Sequence, residues 1–142
     1  AELESRKEIH FETYAKCIRI EAATMVEMVR RQILPAGQAA LRELGQTSRA
    51  KQEISPLLSC KAEELLGTQV SNYNDMLLAG CTVLENLLRE FPDGSEEQKA
   101  LYSRDRLLPA MAELRQTADA LEQMTPAHLW PMPTYGALLY GV

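Results

Sequence analysis

Glu8, His10 and Glu12 are the nearest this sequence comes to a catalytic or metal-binding cluster. On a helix, Glu8 and Glu12 share a face, and two carboxylates beside an imidazole can hold a divalent cation or pass a proton. Acidic pairs at that spacing are common on solvated helix surfaces, so a solvated face is the expectation here. Three cysteines, Cys17, Cys60 and Cys81, are odd in number and far apart. They read as small apolar fillers in a reducing compartment rather than as a disulfide framework. A nucleophilic thiol needs a base, and neither His10 nor His128 stands in a motif that ties it to one. Met25 and Met28 lie within apolar stripes and read as gap-fillers of a core. Arg30-Arg31 and Arg104 with Arg106 read as surface charge or as ion-pair contacts with an acidic neighbour. Trp130, the single tryptophan, reads as a packing anchor before a ligand-stacking residue. The chain has no Glu-x-x-His, His-Glu-x-x-His or Cys-x-x-Cys motif, and no Walker-type glycine loop or Gly-x-Ser-x-Gly elbow. No catalytic, cofactor-binding or metal-binding residue is therefore assigned on this chain.

The elements that would carry these residues follow from composition and period. The chain has 142 residues, 46% hydrophobic and 25% charged, enough for one domain with a real core. Leucine and alanine dominate over β-branched and aromatic residues, which favours helix. A net charge of −5 argues against nucleic acid and anionic lipid as partners. No apolar run is long enough to span a bilayer, and no secretory leader is visible. A cytoplasmic location is the expectation. The first residue is alanine rather than methionine, which hints at a processed chain or a piece of a longer one.

Phe11, Tyr14, Ile18, Ala22, Met25, Val29 and Ile33 recur at three and four, one stripe of a helix expected over about residues 2–44. Ile9, Cys17, Ile20, Thr24 and Met28 form a second set on another side of the same helix. One stripe suffices for packing within a bundle, so the second predicts contact with something outside it. Pro35 removes a backbone donor and crowds the carbonyl of Arg31, which predicts a kink or a break. Gly45 reads as a C-terminal cap, and residues 46–54 as a polar connection. Ser55-Pro56 reads as the start of a second helix, over 55–91, with Leu66, Val70, Tyr73, Leu77, Cys81, Leu84, Leu88 and Phe91 as its stripe. Gly67 or Gly80 is expected at a close crossing. Phe91-Pro92-Asp93-Gly94 marks a turn. Ser95 and Gln98 then make a capping box for a third helix over 95–124, with Leu107, Met111, Leu114, Ala118 and Leu121 inward. Pro109 interrupts that helix as Pro35 interrupts the first.

Residues 126–142 hold Trp130, Pro131, Pro133, Tyr135, Leu138, Leu139 and Tyr140. Prolines two apart favour extended chain, and an apolar segment of this kind is expected to dock on its own bundle or on another surface. The fold expected is all-α: an elongated antiparallel three-helix bundle over 1–125, kinked at prolines in its first and third helices, with an extended apolar tail.

Two stretches are more specific than their chemistry. One runs from Tyr14 through Ile20-Glu21-Ala22-Ala23-Thr24-Met25 to Ile33-Leu34-Pro35-Ala36, and the other is Trp130-Pro131-Met132-Pro133-Thr134-Tyr135-Gly136 with Leu138, Leu139 and Tyr140. Together they resemble the C-terminal region of type III glutamine synthetases, and order and spacing agree from about Ser5 onward. Residues 46–94 resemble it only in helical pattern. Ala137 stands where the family tends to carry an acidic residue, Tyr140 where it has phenylalanine, and Cys17 where it often has threonine. The resemblance implies a full enzyme of nitrogen metabolism that makes glutamine from glutamate and ammonia. ATP and Mg2+ or Mn2+ would be bound by an upstream catalytic domain. It implies a helical appendage here, whose partners are that catalytic domain and neighbouring subunits of a homo-oligomer. The interface expected comprises Ile9, Cys17, Ile20, Thr24, Met28 and the tail residues Trp130, Pro131, Pro133, Tyr135, Leu138, Leu139 and Tyr140. The competing expectation is a free-standing helical adaptor that binds a protein partner through its tail. A metal-dependent bundle enzyme is the third class, and it lacks the ligand motif.

Overall fold

The computed structural model describes residues 1–133. Among the described residues the chain is all-α, with no strand. α1 (Glu2–Met28) passes through a π turn (Val29–Ile33) into α2 (Leu34–Ile54), and these form one continuous rod. α3 (Lys61–Arg89) is the second rod. The third is α4 (Glu96–Tyr102), a second π turn (Ser103–Leu107) and α5 (Leu108–Met124). A single 3-10 turn, Ala127–Leu129, follows. At a rise of 1.5 Å per residue the first rod is on the order of 80 Å long.

The first helix ends at Ile54, not at Leu44. Gly45 costs an interior helix only about 1 kcal/mol, and Gln46 to Glu53 contains good helix formers and no breaker. The Thr47 hydroxyl donates back to the Glu43 carbonyl (3.0 Å), and the helix runs on. Ser55, expected to open the second helix, instead closes the first: its φ of −164° and ψ of 135° are extended, as the residue before a proline prefers. Its hydroxyl accepts from the Leu57 amide at 3.2 Å, which makes a turn of Ser55–Leu58. The second helix therefore starts at Lys61, whose amide donates to the Ser59 hydroxyl (3.2 Å). The third start is as expected. The Ser95 hydroxyl accepts from the Gln98 amide (3.2 Å), and the Gln98 side chain accepts from the Ser95 amide (3.0 Å).

Neither proline breaks its rod. Pro35 and Pro109 each stand second in an α-helix that follows a five-residue π turn. The amide of Leu34 reaches back to the Val29 carbonyl, and that of Leu108 to the Ser103 carbonyl. Each bond spans five residues instead of four. This wider turn accommodates a residue that has no N–H to give and whose ring would crowd the carbonyl four residues back.

Three stripes meet in one core. The first rod contributes Ile18, Ala22, Val26, Val29 and Ile33, the second Val70, Leu77, Cys81 and Leu84, the third Leu107, Met111, Leu114, Ala118 and Leu121. A fully buried leucine such as Leu77 or Leu84 contributes roughly 1.5–3 kcal/mol. Leu66, assigned to the second stripe, is exposed, while Gly67 beside it faces Leu41 and Leu44. Along the first and second rods, Lys51 pairs with Glu63 (2.6 Å), Gly37 faces Asn74 and Arg30 pairs with Glu85. Between the second and third rods, Gly80 faces Leu114 and the Tyr102 hydroxyl donates to the Leu87 carbonyl at 2.7 Å. The close crossing expected at Gly67 or Gly80 is at Gly80, where a Cβ would stand 2.9 Å from Leu114 Cδ1; Gly67 has ordinary clearance. A tighter one, unforeseen, is at Gly37, where a Cβ would overlap Asn74 Oδ1 and lie 3.1 Å from Leu121 Cδ2. Thr125 and Trp130 are buried with the bundle, so the packed unit extends past residue 125.

Candidate functional site

α1 and α5 line a groove of about 690 Å³. Ile20, Thr24, Met25 and Met28 line it from α1, and Val29 and Ile33 continue that wall through the π turn. Met111, Leu114 and Ala118 line it from α5. Its rim carries Glu21, Arg115, Asp119 and Glu122, three acidic groups to one basic. Trp130, Met132 and Pro133 line it as well. The chain arrives there by reversing. His128 Nε2 lies 2.8 Å from Glu43 Oε1, and the Trp130 amide donates to the Ala127 carbonyl at 3.2 Å. The Trp130 ring is then 9% exposed and belongs to the core.

The second stripe of α1 is where the period placed it. Ile9 and Ile20 are 60% and 57% exposed, Cys17 and Thr24 are exposed, and Met28 is half-buried. The structure brings Ile20, Thr24 and Met28 together with Trp130 and Pro133 in the groove. Ile9 and Cys17 lie outside its lining, and Pro131 is exposed. Tyr135, Leu138, Leu139 and Tyr140 lie outside the described residues. Sequence reasoning missed the rim of α5. Arg115, Asp119 and Glu122 are spaced four and three, directly beside the apolar stripe, so helical period carried that signal. It also missed an apolar end to the rod, where Ile54, Leu57 and Leu65 are 77%, 92% and 62% exposed.

The remaining polar groups are structural. Lys51 and Glu63 tie α2 to α3, and the hydrogen bond from Lys51 holds the Glu63 carboxyl below the usual carboxylate range. Arg30 binds Glu85 across the same pair of rods, and Arg104 holds Asp105 low in the same way. The Arg19 guanidinium lies 4.4 Å from the centroid of the Phe91 ring. Burial pushes the Cys81 thiol up, away from the thiolate that reacts. Among the described residues no three or more His, Cys, Asp or Glu come together as a metal site. No helix among them is long and apolar enough to cross a membrane.

The groove and its two walls identify no reaction, but the sequence has relatives. A family model described as glutamine synthetase C-terminal domain matches residues 1–52, the whole of α1 and most of α2. The type-3 glutamine synthetase of Dictyostelium discoideum is 31% identical over 98% of this chain and 20% of its own length. Both likenesses point to the C-terminal part of glutamine synthetases. A glutamine synthetase of Butyrivibrio fibrisolvens is 29% identical over 99% of this chain and 20% of its own length. The chain spans about a fifth of the length of the curated relatives it matches, and no solved structure matches it. The segment that the family model covers is also the one that carries Ile20, Thr24 and Met28 of the groove.

Proposed function

We propose that this chain is the helical C-terminal part of a type III glutamine synthetase, and that by itself it catalyses nothing. In the full enzyme, ATP-dependent ligation of ammonia to glutamate, with Mg2+ or Mn2+, belongs to a catalytic domain upstream. The observation that carries this reading is a likeness spread over nearly the whole chain but only 20% of each relative. No donor set among the described residues fits a metal, so no step of the reaction is assigned here. The work of the chain is packing. The descending and ascending pairs between rods support an antiparallel three-helix bundle, bent at Pro35 and Pro109. Its inner stripes hold the bundle together. Ile9 and Cys17 of the second stripe are left for contacts beyond it, and the tail from Trp130 to Tyr140 is its docking element. The partners would be the chain's own catalytic domain and neighbouring subunits of a cytoplasmic homo-oligomer.

A glutamine-forming assay with ATP, glutamate, ammonia and magnesium tests this on the chain and on the protein from its complete reading frame. Activity in the longer protein alone is the expected outcome. A longer protein without activity, or a reading frame without a ligase domain upstream, would sink the proposal and leave a helical adaptor.

A further inference from the structure

The described chain ends at the groove between α1 and α5. His128 sits beside Glu43 of α2, yet Pro133, five residues later, lines a groove whose first-rod wall runs from Ile33 back to Ile20. Between His128 and Pro133 the chain has therefore passed from α2 to the groove. From Ile33 to Ile20 the groove is on the order of 20 Å long at helical rise. The nine residues after Pro133, Thr134-Tyr-Gly-Ala-Leu-Leu-Tyr-Gly-Val142, can reach about 30 Å when extended. They contain no charged side chain, and five of them are Tyr, Leu or Val. The wall they would meet is apolar: Met25, Met28, Met111 and Ala118. Methionines suit such a seat because their side chains adapt to the shape laid on them.

We propose that this groove is the seat of residues 134–142 of the same chain. Attachment at Pro133 makes the encounter intramolecular, at an effective concentration on the order of millimolar, with no partner required. The seated segment covers Ile20, Thr24 and Met28 and leaves Ile9 and Cys17 as the outward part of the second stripe. This inference concerns the isolated chain and stands whatever the identity of the enzyme upstream.

Cross-linking tests it on the full chain. Thr24→Cys and Leu138→Cys are introduced together, Cys17→Ser and Cys60→Ser remove the accessible thiols, and Cys81 stays because it is fully buried. A control carries Gln46→Cys in place of Thr24→Cys, on an exposed site of α2 beyond the Glu43–His128 contact. Under mild copper-catalysed oxidation of dilute protein, the Thr24 pair should close within one chain roughly tenfold faster than the control pair. Equal rates, no closure, or closure only between two chains would each overturn the proposal, the last by assigning the groove to a second copy. A second measurement does not depend on cysteines. Removal of residues 134–142 should leave the helical signal intact and raise the binding of an apolar dye several-fold. Unchanged dye binding would also overturn the proposal.

Discussion

Gly37 and Asn74 show how tightly two residues can depend on one another. Asn74 is a buried amide whose Oδ1 has no partner among the described residues, and it occupies the space that a Cβ on Gly37 would need. Gly37→Ala should destabilise the chain by about 1–3 kcal/mol, since the neighbours must shift to admit the methyl. In a double-mutant cycle, Asn74→Ala should recover part of that loss, while Leu121 keeps the rest; strict additivity in thermal melts would refute the coupling. Glu63 supplies a pH dependence. Its carboxyl is held low by Lys51, so it binds its proton less readily in the folded chain than in the unfolded one. The stability it contributes is present above the ordinary carboxylate pKa and is lost as pH falls through the lowered folded value. Glu63→Gln should therefore flatten the fall of melting temperature between about pH 5 and pH 2 without abolishing it, because Asp105 is held low as well. Of this scale the sequence shows little. Gly37 looks like any helical glycine until Asn74 is laid against it, and Lys51 and Glu63 are ordinary charges until two rods bring them within 2.6 Å.

The elements are where sequence reading is strongest, and its failures have a cause. The third rod was legible because Ser95 and Gln98 make a local signal that needs no tertiary partner. Ser95→Ala should cost about 1 kcal/mol, read as a lower melting temperature. The end of the first rod was misread because Gly45 and Ser55-Pro56 are weak signals that allow two parsings. Packing of Lys51 on Glu63 favours the longer helix. The echo of Ile33-Leu34-Pro35-Ala36 in Leu107-Leu108-Pro109-Ala110 is a shared π turn followed by proline, and not a break. A π turn holds one residue more than an α turn. Deleting Gln32 together with Pro35→Ala should let the rod run as plain α-helix with both flanking apolar faces still inward. Deleting Ala23, in the middle of α1, should rotate Ile18 and its neighbours off the core. Circular dichroism melts separate the two, and an equal loss in both would refute the account of the turn.

At the scale of the molecule, the three stripes meet in one core much as period predicts, and the second stripe of α1 remains outside it. What period could not show is that α5 supplies the other wall of a groove, because a groove is made by two helices together. Nor could it show that the tail begins inside the core. Residues 126–142 are read from the sequence as a tail apart from the bundle, but Trp130 is buried and belongs to the same core cluster as Met111 and Ile33. Trp130→Ala should cost about 3–5 kcal/mol in chemical denaturation, far more than removal of residues 134–142. A loss within about 0.5 kcal/mol would mean that the ring is not part of the core. The position of this ring has one more consequence. It is the chain's single tryptophan, and it stands where the last turn hands over to the final segment. Its emission colour is therefore a natural optical gauge of the chain's end. It would redden when the end lifts from the bundle while helicity is unchanged, so undocking and unfolding can be told apart with no dye or label attached.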